Sequence, residues 1–116
     1  MRNYKKYDIW HQGIEIVKST YIIANKLPKA ELFGLRSQIT RSAVSIPSNI
    51  AEGTGRRSDK EFKRFLEIAI ASLFELETQI IIVKELDLIP NLNTDDLNFL
   101  LDKQGKQMNR LIERLK

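Results

Sequence analysis

Few side chains in this 116-residue sequence could carry out catalysis or hold a metal ion. The chain has no cysteine and one histidine, His11, beside Trp10. Disulfides, thiolate zinc sites, iron–sulfur clusters and cysteine nucleophiles are therefore excluded, and a serine triad could be built only around His11. Because no nucleophile stands at a defined spacing from that imidazole, we assign it no role. We expect a protein that is not an enzyme and that uses no cofactor and no metal.

Two enzyme classes with helical folds also fail on composition. A di-iron bundle needs Glu-x-x-His on two of its helices, and that tetrapeptide does not occur. Ribonucleases of the HEPN type place an arginine a few residues before a histidine, whereas the only arginine that precedes His11 is Arg2, nine residues earlier. The acidic group formed by Glu75, Glu77, Glu85 and Asp87 is typical of a solvated helix face.

The basic side chains offer more, because they form two clusters that could contact an anionic polymer. The first lies on a glycine-containing loop and at the start of the helix after it, where free backbone N–H groups favour anions, although Asp59 and Glu61 compete there. Its candidate nucleic-acid-binding residues are Arg56, Arg57, Lys63 and Arg64, with Lys60 between them. The second cluster recurs every three or four residues, and it comprises Lys103, Lys106, Arg110 and Arg114. Such a row can follow a phosphate backbone or be an ordinary solvated face.

The charge is unevenly distributed along the chain. The net charge is +4, from 19 Lys and Arg against 15 Asp and Glu. Residues 65–89 hold one lysine and five acids, which gives −4, so the rest of the chain carries +8.

One face of the second predicted helix is unusually polar. Its members, which share helical spacing, are Gln38, Arg41, Ser45, Ser48, Asn49 and Glu52. Serine and asparagine are mediocre helix formers, so packing alone gives little reason for them. Three interpretations are open: a buried polar seam, a subunit interface, or a surface that contacts a ligand.

Apolar spacings of three and four predict four helices, and no segment alternates as a strand would. The first helix covers Tyr7 to Leu27 and carries two apolar stripes, one of Trp10, Ile14, Val17, Tyr21 and Ala24 and the other of Ile9, Ile16 and Ile23. Two stripes are more than a surface helix needs. Either this helix is deeply buried or it meets another chain, and we take Ile9, Ile16 and Ile23 as candidates for an oligomer interface.

The other helices have recognisable boundaries. The second contains Pro47, but its apolar register continues, so we predict one kinked helix. Ser58 starts the third with a capping-box spacing, Pro90 prevents its continuation, and Thr94 caps the fourth. We predict a single all-α domain spanning residues 1–116, an antiparallel up-down-up-down four-helix bundle. The charged start is no signal peptide and no apolar run spans a bilayer, so we expect a cytoplasmic protein that does not bind membranes.

A longer stretch carries a family resemblance. Residues 35–57 read LRSQITRSAVSIPSNIAEGTGRR, followed by FKRFLEIA at 62–69 and SLFELET at 72–78. These segments resemble the four-helix-bundle proteins encoded within intervening sequences of bacterial 23S rRNA genes, and they are similar to accessory proteins of diversity-generating retroelements. The resemblance implies an antiparallel bundle, a homopentamer and no catalytic residue. Its motif positions are Arg41, Ser45, Pro47, Asn49, Glu52, Gly53, Gly55 and Arg56.

Together these features predict a non-enzymatic homo-oligomer that binds nucleic acid by neutralising its phosphates. We expect this nucleic acid to be RNA. The alternative is an interaction scaffold that recruits a partner protein and uses its positive charge only for solubility. If the implied pentamer forms, five copies bring a charge of +20 together, five times the formal +4 of one chain.

Overall fold

Four α-helices make up most of the computed structural model, which describes residues 2–115. They are α1 (Asp8–Ala24), α2 (Leu35–Thr54), α3 (Asp59–Glu85) and α4 (Asp95–Arg114). Short 3₁₀ helices cover Tyr4–Lys6 and Lys29–Glu31, and the described residues contain no strand. The prediction of an all-α chain with four helices is confirmed.

The helices pack in the order of the chain. Each one contacts the next, α2 with α3 most extensively, and α4 returns to contact α1. The molecule measures 45 × 24 × 19 Å, and the 27 residues of α3 nearly span the long axis at about 1.5 Å per residue. Short connections between packed neighbours are consistent with the up-down-up-down order.

The core corrects the interpretation of the first helix. Ile9, Ile16 and Ile23 are 5%, 0% and 6% exposed and belong to the core of their own chain. Ile14 and Tyr21, from the other stripe, are 36% and 43% exposed. Helix α1 lies between α2 and α4, so the stripe that points between these neighbours is covered. The prediction that Ile9, Ile16 and Ile23 form an oligomer interface is therefore wrong.

Helix α2 runs through Pro47 without a break, so one helix rather than two is confirmed, and the kink stays a prediction. Pro47 is buried against α1. A Cβ atom added to Gly13 would lie 3.0 Å from Pro47 Cβ and 3.4 Å from its Cα, closer than ordinary van der Waals contact. Gly13 is thus the residue that lets α1 approach the proline ring.

The helix ends match the predicted signals only in part. The Ser58 hydroxyl accepts a hydrogen bond from the Glu61 N–H (3.1 Å), which confirms the cap of α3. Helix α3 ends at Glu85, before Pro90, because Asp87 turns the chain with a φ of 50°.

Two hydrogen bonds of 3.1 Å complete this turn, from the Leu88 N–H to the Val83 carbonyl and from the Asp87 N–H to the Lys84 carbonyl. Together they form a Schellman motif. Proline is therefore not what ends α3.

Thr94 occupies the N-cap position of α4, but its side chain makes no capping bond. Instead the Asn93 carboxamide oxygen accepts from the Asp95 N–H at 2.9 Å. The Thr94 hydroxyl accepts from the Asn98 amide at 3.1 Å. The N-cap position of α4 was thus predicted correctly, but the side chain that accepts a hydrogen bond from the helix N-terminus is that of Asn93 and not that of Thr94. Within residues 2–115, none of the helices combines the length and the apolar character needed to cross a membrane.

Candidate nucleic-acid interface

A polar seam joins α2 to α3. The hydroxyls of Ser45 and Ser72 lie 2.8 Å apart. The Asn49 amide donates to the Ser45 carbonyl at 2.8 Å and to its hydroxyl at 2.9 Å. Ser45 and Asn49 are half-buried, so these two members of the polar face belong to a half-buried polar seam between the helices.

The seam continues through residues outside the predicted set. The Ser42 hydroxyl is buried and lies 2.9 Å from Gln79 Oε1, and it also contacts a Glu75 carboxylate oxygen. Both Ser42 and Gln79 occupy positions in the apolar register of their helices, three or four residues from Ile39 or Val83. A polar residue at a position of the apolar register is therefore the sequence signal from which this part of the seam could have been predicted.

The remaining members of the polar face are solvent-exposed. They are Gln38, Arg41, Ser48 and Glu52. Gln38 and Arg41 line a shallow groove with Glu75 and Thr78 of α3. For these four residues the subunit interface and the ligand contact stay predictions.

The loop cluster, Arg56, Arg57, Lys60, Lys63 and Arg64, lies where α2 passes into α3. Gly53 sets this geometry, because a Cβ there would lie 2.9 Å from Phe62 Cδ1 and 2.9 Å from Phe65 Cβ. Its absence lets the end of α2 lie against the first turns of α3. The Arg56 guanidinium then extends over the Phe65 ring, 4.5 Å from the centroid.

The N-terminal segment returns to the same loop. Arg2 donates to the Arg56 carbonyl oxygen at 2.6 Å and forms an ion pair with Asp59. Its guanidinium lies 4.7 Å above the Phe62 ring. Asp59, which competes for the positive end of α3 in the sequence, is thus neutralised by a residue 57 positions earlier.

The loop cluster itself is free of ion pairs within residues 2–115. Salt bridges there join Arg2 to Asp59, Lys18 to Glu15 and Lys106 to Asp102. Lys63 is half-buried and the other four members are exposed. Glu61 and Glu67 share a shallow groove with Lys60, Lys63 and Arg64, so two carboxylates partly offset the charge of these three cations.

The basic row on α4 is divided between two places. All four of its cations, Lys103, Lys106, Arg110 and Arg114, are exposed. Lys106 pairs with Asp102 at 3.0 Å. Arg110 and Arg114 line a groove that also contains Tyr7 and Asp8.

Tyr7 connects this groove to the loop cluster, because its ring meets Phe62 edge-on at 5.8 Å. Arg110 and Arg114 therefore lie at the same end of the bundle as Arg56 and Arg57. We call this surface, formed by the loop cluster with Arg110 and Arg114, the basic end. Lys106 does not belong to it, since it lies along α4 beside Leu73 and Glu77 of α3. Lys103 does not belong to it either, because it is three residues farther from the end of α4.

Glutamines hold α4 to α1. Gln104 is fully buried and donates to the Ile9 carbonyl at 2.8 Å, and Gln12 donates to Gln107 at 2.6 Å. The side-chain oxygens of Gln104 and Gln12 are buried without a partner. On the neighbouring α3–α4 contact, burial raises the pKa of Glu77, and the Asp102 carboxylate raises it further.

His11 is exposed, and its Nε2 lies 2.6 Å from the Lys5 carbonyl. Its imidazole also meets the Trp10 ring edge-on. These contacts tie the N-terminal segment to α1. Within residues 2–115, no three His, Cys, Asp or Glu side chains gather in a way that could hold a metal ion.

Comparison with known proteins identifies the family. None of the curated proteins compared with the chain matches it. The similarity to accessory proteins of diversity-generating retroelements stays a prediction. A family model described as "23S rRNA-intervening sequence protein" matches residues 5–110, a span that contains all four helices except the last turn of α4. The chain therefore belongs to the 23S rRNA-intervening sequence protein family.

Proposed function

We propose that this protein is a non-enzymatic, cytoplasmic RNA-binding homo-oligomer whose basic end contacts the phosphate backbone. One observation carries the proposal. The five cations of the loop cluster make no ion pair within residues 2–115 and lie at the same end of the bundle as Arg110 and Arg114. Because they are not paired with carboxylates, they can replace the counterions of a polyanion. The description of the family, which names 23S rRNA, supports RNA as the polyanion.

Assembly into an oligomer would raise the positive charge that is available for binding RNA. One chain carries +4, which is modest, whereas the pentamer that the resemblance implies would carry five times that, +20. Phe74 and Ile81 are seven residues apart on α3, so they lie on one face of the helix, and they are 59% and 57% exposed. An exposed apolar face of this kind supports a contact between copies. Light scattering at micromolar concentration should give a mass several times that of the chain, and a monomer mass would refute the assembly.

The binding test is a titration of labelled, structured RNA at increasing salt. Affinity should fall steeply with salt if several phosphates are neutralised. The double variant R56E/R57E should lose most of the affinity while it keeps the oligomer. The matched control is K26E/K29E, which makes the same charge change at two exposed lysines near the junction of α1 and α2, at the opposite end of the bundle.

Two outcomes would overturn the proposal. The first is that the intact oligomer does not bind RNA at low salt. The second is that both double variants lose the same affinity, because the basic end would then contribute only to the overall charge.

A second function, a scaffold that recruits a partner protein, is favoured by the exposed side chains of Phe74 and Ile81 on α3 and of Leu86 directly after it. The charge reversal separates it from RNA binding. RNA affinity that is unchanged in R56E/R57E, together with a co-purified partner protein that is lost when Phe74 and Ile81 are replaced by serine, would support the scaffold.

A further inference from the structure

We propose that Arg56 stacks against an unpaired base, so that the protein prefers single-stranded RNA segments to duplex. This inference rests on the proposed RNA binding and names the form of RNA that the basic end takes. The observation behind it is the guanidinium of Arg56 over the Phe65 ring, 4.5 Å from the centroid, on an otherwise exposed side chain.

The Phe65 ring and the Arg56 backbone are each held in place by a close contact. Phe65 is half-buried, and its Cβ lies against the backbone of Gly53, where an added methyl group would come within 2.9 Å. The Arg56 carbonyl accepts a hydrogen bond from Arg2 at 2.6 Å. Backbone and ring are thus fixed before RNA arrives, which lowers the ordering cost of binding.

A guanidinium is a plane with two faces, and only one of them can lie against Phe65. Because Arg56 is exposed and has no carboxylate partner within residues 2–115, its other face is available to a ligand. Unpaired RNA bases stack on aromatic rings and on arginine planes, whereas an A-form duplex keeps its base faces covered. The neighbouring Arg57 is then placed to contact the flanking phosphate.

The second arginine over a phenylalanine, Arg2 over Phe62, differs in these respects. Arg2 donates to the Arg56 carbonyl and pairs with Asp59, and its side chain is 21% exposed. Phe62 is fully buried. Arg2 therefore fixes the loop, and Arg56 is the arginine that can accept a base.

The test compares a short unstructured RNA with a blunt duplex of the same length, by fluorescence anisotropy at one fixed salt concentration. The variant is R56K, which keeps the charge and removes the plane. The matched control is R36K, which makes the same change at the start of α2, at the opposite end of the bundle. Loss of one stacked base should weaken single-strand binding of R56K by about tenfold and leave duplex binding within about twofold. R36K should leave both affinities nearly unchanged. Lysine at an exposed loop position should not disturb folding, and thermal unfolding of both variants checks this.

The outcomes keep the two proposals apart. If the wild-type protein binds neither RNA, the proposed function itself fails. If it binds RNA but prefers the duplex, or if R56K binds both RNAs like the wild type or loses the same factor on both, the base-stacking inference is overturned while RNA binding stands. A selective loss of single-strand affinity in R56K supports it.

Discussion

Replacing Gly53 by alanine should destabilise the protein, because the new methyl group has no room. Its Cβ would lie 2.9 Å from Phe62 Cδ1, 2.9 Å from Phe65 Cβ and 3.3 Å from the Phe62 carbonyl oxygen. A Cβ and a carbonyl oxygen are attached to the α3 backbone, so a rotamer change cannot move them away. The end of α2 must separate from α3 instead.

The magnitude follows from two opposing effects. Overpacking of this kind costs about 2–3 kcal/mol, and the better helix propensity of alanine returns about 1 kcal/mol. The net loss of about 1–2 kcal/mol corresponds to a fall in melting temperature of roughly 4–8 °C for a domain of this size. Thermal unfolding followed by far-ultraviolet circular dichroism measures it directly.

Gly105, inside α4, provides the matched control. A Cβ there would have Leu73 Cδ1 as its nearest neighbour, at 3.9 Å, which is an ordinary contact. The substitution then changes stability only through the higher helix propensity of alanine, so Gly105→Ala should stabilise the protein by about 1 kcal/mol. A Gly53→Ala variant as stable as the wild type, measured beside a stabilised Gly105→Ala, would refute the steric reasoning.

Three further substitutions test other features. Asp87 has a φ of 50° at the end of α3, so Asp87→Gly should gain about 0.5–1 kcal/mol in urea denaturation, and a loss would contradict the strain. Gln104→Met removes a buried oxygen without a partner and should raise stability by about 1 kcal/mol; a lower melting temperature would show that the bond to the Ile9 carbonyl matters more. The raised pKa of Glu77 means that its folded form holds the proton more tightly, so its contribution is complete at low pH and is lost as pH rises through the folded pKa. Glu77→Gln should therefore raise the melting temperature at pH 7 and give no gain near pH ~3, where the carboxyl group is protonated in the folded and the unfolded protein; an equal gain at both pH values would argue against it.

Helical periodicity predicted the four helices because each buries a stripe with regular spacing. It could not decide which of the two stripes on α1 faces the core. Ile9, Ile16 and Ile23 share the same kind of helical spacing as Ile14 and Tyr21, and the choice depends on where α2 and α4 lie. That information is tertiary, and the interface assigned to the isoleucines was wrong for this reason.

The sequence predicted which residues make up the candidate site, but it could not predict which of their side chains contact each other. The cations of the loop cluster can be read from the sequence, but the neutralisation of Asp59 depends on Arg2, which is far away along the chain. The stacking of Arg56 on Phe65 likewise depends on the close approach that Gly53 allows. The burial of Gln104 could have been predicted from the sequence, because this residue stands three and four residues from Leu101 and Met108, inside the buried stripe of α4.

The contact between Gly13 and Pro47 has an evolutionary consequence. The two residues are 34 positions apart in the sequence, yet position 13 cannot gain a side chain freely while α1 and α2 keep their spacing, since a Cβ at Gly13 would lie 3.0 Å from Pro47 Cβ and 3.4 Å from its Cα. Every residue except glycine has a Cβ, so replacing the proline by another residue does not by itself make room. Relatives that carry a larger residue at position 13 should therefore carry glycine at position 47 or hold the two helices farther apart.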